Sequence, residues 1–199
     1  MCCGRRCPVT RLATEQEADQ FTDLMARRFG ARIVDRNDAF EFQVFVGALK
    51  AAGIPDLTQL LDGRSFTAGS WIYLTPGLPP NRKIRTVCHE LVHASQWSKD
   101  GVRFGYFYAT SGHKRVGYEV PGFYAAAEIE YAMTGRLPSL DDLAGQLNHG
   151  YALGAADLVL ARDMLESAAT SIADGIVSTP EAQYGIDLLR THFPELLAT

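Results

Sequence analysis

The chain has 199 residues, 47% of them apolar and 21% charged, and carries a net charge of -4. That balance excludes a disordered or fibrous chain and suits one compact domain over residues 1–199. No run of apolar residues is long enough for a membrane span, and the acidic balance argues against a nucleic-acid partner.

Cys2, Cys3 and Cys7 crowd the N-terminus, far from Cys88. Four cysteines in a chain of this length do not make a disulfide scaffold, and residues 1–12 read as a flexible tail. The first twenty residues lack the apolar core of a signal peptide, which points to a cytoplasmic protein.

Thr14 and Glu17 have capping-box spacing, so a first helix is predicted through Phe21, Leu24 and Met25 to a stop at Gly30. Ala31 to Asp35 reads as a short strand. Asp38 and Glu41 repeat the cap ahead of a second helix bearing Phe42, Phe45, Val46 and Leu49 and stopped by Gly53, followed by a helical turn at Asp56 to Leu61. Arg64 to Thr67 and Ser70 to Thr75 read as two strands around Ala68-Gly69. Pro76, Pro79 and Pro80 make a rigid connection to another helix, for which Asn81 is the expected N-cap. The cluster Arg82, Lys83 and Arg85 on that helix is too short for a phosphate-binding patch and reads as a solvated face.

Arg103 to Tyr118 is rich in aromatic, glycine and β-branched residues, which suits irregular strands or a loop over a cleft. Pro121 is the expected start of a helix ending at Thr134-Gly135. Beyond it, Leu140 to Leu147, Ala152 to Ile172 and Pro180 to Leu189 carry apolar stripes, so residues 136–199 are expected to form a helical C-terminal subdomain.

The chemistry concentrates at His89-Glu90-Leu91-Val92-His93. At about 100° per residue, His89 and His93 project from one helix face roughly 40° apart and one turn from each other, so two imidazoles can share one ion. Ile84, Val87, Cys88, Leu91 and Ser95 fall on the opposite side as a core stripe. Zinc suits neutral imidazole, and a catalytic zinc site takes three protein ligands and a water. Glu90, between the histidines, would take a proton from that water and pass it to the leaving group, as in the His-Glu-x-x-His pattern.

The third ligand must come from elsewhere. Glu128 and Glu130 lie 35 and 37 residues beyond His93 on the helix after Pro121. They are about 200° apart on the wheel, so only one can face the ion. Tyr124, Glu128 and Tyr131 share a face, which selects Glu128 and leaves Glu130 as its rival. His113, Tyr118 and Tyr124 fall between the two ligand helices and are candidates to stabilise an oxyanion, with Tyr118 and His113 ranked first.

The segment from Thr86 to Trp97, followed by Ala127-Glu128-Ile129-Glu130-Tyr131-Ala132, resembles the active-site helices of the gluzincin branch of zinc metallopeptidases. The resemblance is confined to these two segments. It implies an α+β, zincin-like fold, mainly helical with a small sheet against the motif helix, and a peptidase acting on peptide or protein amide bonds. By it, His89, His93 and Glu128 would hold zinc and Glu90 would be the base. It also implies an edge strand beside the motif helix to which a peptide can add, and Ser70 to Thr75 is the expected strand, though the same run reads equally as a core strand with Trp71 and Tyr73 on one face and Ile72 and Leu74 on the other. Tyr131 and Ala132 replace the alanine and aspartate usual in that second helix, so the carboxylate that would orient a histidine is absent; Gln96, on the histidine side of the wheel, is a candidate substitute and reads equally as a solvent-facing residue. Two competing readings are a catalytically inactive, zinc-binding interaction module of a larger assembly and a metal-free helical protein.

Overall fold

The computed structural model describes residues 11–40, 44, 64–151 and 153–198. In chain order these form α1 (Glu15–Phe29), β1 (Arg32–Asp35), β2 (Phe66–Ala68), β3 (Trp71–Leu74), α2 (Pro80–Asp100), α3 (Val102–Thr110), α4 (Gly112–Thr134), α5 (Leu140–Tyr151), α6 (Ala155–Ala173) and α7 (Pro180–His192). The protein is therefore α+β, mostly helical with one small mixed sheet. Among the described residues no helix is long and apolar enough to cross a membrane.

The expected first helix forms as its cap dictates. The Thr14 side chain accepts from the Glu17 backbone while the Glu17 side chain accepts from the Thr14 backbone, and Gly30 closes α1 in the left-handed conformation. Of the expected tail, Arg11 is tied down by ion pairs with Glu17 and Glu195. Asp38 closes a 3₁₀ turn, Arg36–Asp38. Phe40 and Val44 are helical, and the other residues of the expected second helix and the turn at Asp56 to Leu61 lie outside the described residues.

The strand order is β1-β3-β2, with β1 parallel and β2 antiparallel to β3. The segment Ser70 to Thr75, expected at an edge, thus supplies the central strand, and β2 is the edge strand next to α2. The reason is burial: Ile72, Tyr73 and Leu74 are all buried, a pattern of a strand covered on both sides. Asn81 does not cap α2. Pro80 occupies the first turn after Pro79, and Asn81 Oδ1 instead accepts from the Ala13 backbone N–H at 2.8 Å, tying the start of α1 to α2.

The predicted core stripe of α2 is the centre of the molecule. Ile84, Val87, Cys88 and Leu91 are fully buried against Phe21 and Met25 of α1, Ala125 and Ile129 of α4, and Ala182, Ile186 and Leu189 of α7. Gly185 permits this contact: a Cβ there would lie 2.9 Å from Ile129 Cδ1 and 3.3 Å from both Cys88 Sγ and Phe21 Cζ. A second apolar cluster joins Val116, Val120 and Phe123 of α4 to Leu147 of α5 and Ala161 and Leu165 of α6. The C-terminal helices accordingly divide, with α5 and α6 in the second cluster and α7 in the first.

The largest departure from expectation is residues 103–118, which form α3 and the start of α4, with Pro121 inside α4. Their aromatic rings pack laterally: Phe104 meets Trp97, Tyr108, Tyr118 and His93 at centroid distances of 4.6–5.9 Å. Such packing overrides a strand preference that reflects little more than fit to a half-buried surface. Pro121 removes one backbone bond, to the carbonyl of Gly117, and Gly117 is exposed, so water can take the freed acceptor.

Candidate metal centre

His89 and His93 face α4 across the core side of the cleft, and their Nε2 atoms stand 3.1 Å apart. The carboxylate between them belongs to Glu119, whose Oε2 is 3.4 Å from His89 Nε2 and whose Oε1 is 3.4 Å from His93 Nε2. This group of three is the one whose ligand atoms lie close enough, within 4.8 Å of one another, to hold a metal ion among the described residues. Bonds of about 2.0–2.1 Å in a tetrahedron place ligand atoms about 3.3–3.4 Å apart, close to the separations of His89 Nε2 from His93 Nε2 and from Glu119 Oε2.

A second observation tests the fit. Glu119 is 1% exposed, yet its Oε2 accepts no hydrogen bond. A buried, unpartnered carboxylate oxygen is costly, and a cation at this point removes that cost. The other oxygen is fixed, accepting from the Tyr108 hydroxyl.

The histidines are oriented from behind. Gln96 Nε2 donates to the Tyr118 carbonyl at 2.9 Å, which turns Gln96 Oε1 toward His93 Nδ1, also at 2.9 Å. His93 must then carry its proton on Nδ1, leaving the Nε2 lone pair for an ion when the ring is neutral. Gln96 thus occupies the orienting position expected of it. The His89 ring lies against the α4 backbone at Gly122, where a Cβ would come within 2.9–3.0 Å of its Nδ1, Cε1 and Nε2 atoms. Only glycine allows that approach.

Without a metal the charges couple strongly. Burial opposes protonation of His93, but Glu119, Glu90 and the Gln96 hydrogen bond outweigh it and raise its pKa to about 9. Burial likewise opposes ionisation of Glu119, and the positive charge of His93 and His89 close beside it overcomes that, holding the carboxyl well below the usual range. Glu90 is 5% exposed, with Oε2 accepting from Thr67 Oγ1 of β2 at 2.6 Å. With His89 it lines a cleft of about 670 Å³ that runs past Arg64, Arg82 and Arg85 on one side and Phe123, Ala127 and Ser139 on the other.

The structure does not bring Glu128 to the histidines. Its Oε1 accepts from Ser178 N and Oγ at 2.6 Å each, and its Oε2 from Thr179 Oγ1 at 2.6 Å and Thr179 N at 3.4 Å. Thr179 is the N-cap of α7, so Glu128 serves the start of that helix. Glu130 pairs with Arg85 at the cleft wall. A helix starting at Pro121, as the sequence predicts, excludes Glu119; α4 instead runs through the proline and puts Glu119 and Phe123 on one face, four residues apart.

The expected oxyanion donors are also elsewhere. Tyr118 donates its hydroxyl to Asp100 Oδ2 at 3.0 Å, at the end of α2, and burial together with Asp100 raises its pKa. His113 is exposed in the first turn of α4. Tyr124 donates to the Met164 carbonyl of α6. The expected peptide-binding edge changes too: β3 is paired on both sides, and the outer carbonyl of Thr67 in β2 already accepts from Trp97 Nε1 at 3.2 Å.

Compared with known proteins, the chain matches no family model, no curated protein and no solved structure.

Proposed function

We propose that the protein is a zinc-dependent peptidase of the zincin type, with His89, His93 and Glu119 as its metal ligands and Glu90 as its general base. The observation that carries the reading is the buried Glu119 carboxylate between two imidazoles, its unpartnered Oε2 facing the Nε2 of His89, the neighbour in sequence of Glu90, which opens on a cleft. Two imidazoles and a carboxylate are a donor set for zinc with one position left open. A zinc ion held there would supply Lewis acidity, lowering the pKa of water to near neutrality and polarising a substrate carbonyl.

The chain's own residues do the rest. Glu90 accepts the proton of the attacking water and returns it to the leaving amine nitrogen, so the carboxylate is regenerated as the amide bond breaks. Gln96 keeps the His93 proton on Nδ1. The cleft volume falls in the range typical of ligand sites, enough for a few residues of an extended peptide.

The test is metal content beside turnover. The zinc-loaded protein is incubated with a pool of mixed-sequence peptides and cleavage is followed by mass spectrometry. Wild type is expected to bind one zinc and to cut; Glu90→Gln should keep the zinc and lose about a hundredfold or more in rate. Cleavage by Glu90→Gln at the wild-type rate, or wild type that binds no zinc, would sink the reading.

A further inference from the structure

We propose that Thr67 is the positioning residue for Glu90, its hydroxyl gripping Oε2 so that Oε1 is the oxygen presented to the cleft. The inference rests on the reading of Glu90 as the base and extends it to a residue outside the motif helix.

Glu90 is held on a helix by its backbone, but a glutamate side chain has three rotatable bonds and searches widely unless something stops it. Thr67 is placed to stop it. The residue is 3% exposed, its Oγ1 lies 2.6 Å from Glu90 Oε2 and 3.2 Å from the Glu90 carbonyl, and it has one hydroxyl proton to give. The shorter contact, to the charged acceptor, is the stronger one. Oε1 of Glu90 has no hydrogen-bond partner in the protein among the described residues and, unlike Glu119 Oε2, it is not sealed from solvent.

Thr67 is itself clamped. Its carbonyl accepts from the Trp97 indole, and its strand is paired to β3 with Thr67 opposite Ile72, a fully buried residue. Trp97 and Glu90 both belong to α2, two turns apart, so one residue of β2 is tied to the motif helix at two levels. A hydroxyl fixed in this way meets the requirement that a catalytic group be held by partners whose own positions are locked. The β-branched threonine also restricts the hydroxyl at χ1, and valine would reproduce its shape without the donor.

The experiment compares wild type with Thr67→Val, Thr67→Ser and Glu90→Gln, each as the full chain loaded with zinc and carrying carboxyl-13C glutamate. The resonance missing from Glu90→Gln identifies Glu90. It is expected to move in Thr67→Val and to return toward its wild-type position in Thr67→Ser, with one zinc bound in every variant. On the peptide pool, Thr67→Val should lower kcat about tenfold with KM within about twofold, and Thr67→Ser should recover most of kcat. A Glu90 resonance unmoved in Thr67→Val, or a kcat loss that Thr67→Ser shares in full, overturns the proposal. If the wild type cuts no peptide while the resonance moves in Thr67→Val and returns in Thr67→Ser, the grip on Glu90 stands and the peptidase reading falls.

Discussion

Glu119 and Glu128 lie on one helix, nine residues apart, and both are almost completely buried, at 1% and 2% exposure. Nine residues are two and a half turns, so their side chains leave α4 on opposite faces. One stands between two imidazoles with an oxygen that accepts no hydrogen bond, and the other has four donors from Ser178 and Thr179. Burial and carboxylate chemistry are the same at both positions. The number of donors supplied by the protein separates them: the cap is satisfied within the fold, whereas the carboxylate proposed as a ligand is left with an unsatisfied oxygen.

Exchanging the two charges breaks or sharpens this contrast most strongly. Glu119→Gln should weaken zinc affinity by at least about a hundredfold, because even outer partners of a ligand are worth ten to a hundredfold. Glu128→Gln should leave affinity within about twofold while lowering unfolding stability by about 2–4 kcal/mol, since its amide N–H group would meet donors. Competition with a chromogenic chelator measures the first and urea unfolding the second. The opposite pattern would mean that the carboxylates have been assigned the wrong way round.

A pH titration of the metal-stripped protein separates them again. The folded pKa of His93 is raised, so the stability gained from its pairing with Glu119 is fully present below the ordinary histidine value of about 6.5. It is lost as pH rises toward about 9. Glu119→Gln should flatten that alkaline loss, and Glu128→Gln should retain it.

Next in size is Gly122, on the Glu119 side of α4. Gly122→Ala would place a methyl carbon within 3.0 Å of three atoms of the His89 ring, so the ring must turn from the shared site. Zinc affinity should fall about tenfold to a hundredfold. Tyr108→Phe should have a smaller effect, about tenfold, since it frees Glu119 Oε1 without displacing a ligand. An unchanged affinity in Gly122→Ala would show that His89 can leave the α4 backbone without leaving the metal.

Much of this was legible in the residues. The capping box at Thr14 and Glu17, the α2 core stripe, the paired histidines and Gln96 behind them all follow from local spacing, which survives into the fold. The place of Glu119 beside the histidines did not follow, because proline is read as a helix start and Pro121 stands inside a helix. The aromatic run from Phe104 to Tyr118 misled for a related reason. Its rings pack on Trp97 and His93, a tertiary contact that no local preference encodes. Glu128 does share a helix spacing with Tyr124 and Tyr131, but what its carboxylate meets is the start of α7, about fifty residues later in the chain, which local spacing does not encode.

The smallest effect is the most specific to the cap. Ser178 gives Glu128 two donors, its backbone N–H and its hydroxyl, both at 2.6 Å to the same oxygen. Ser178→Ala removes one and keeps the other, so Oε1 remains satisfied and no buried charge is orphaned. The loss should be that of one hydrogen bond to a charged group, about 1–2 kcal/mol, or a Tm lowered by about 2–8 °C for a chain of this size. Zinc affinity should not change, because the hydroxyl lies on the face of α4 opposite the histidines. A Ser178→Ala protein that melts as wild type but binds zinc more weakly would tie Glu128 to the metal after all.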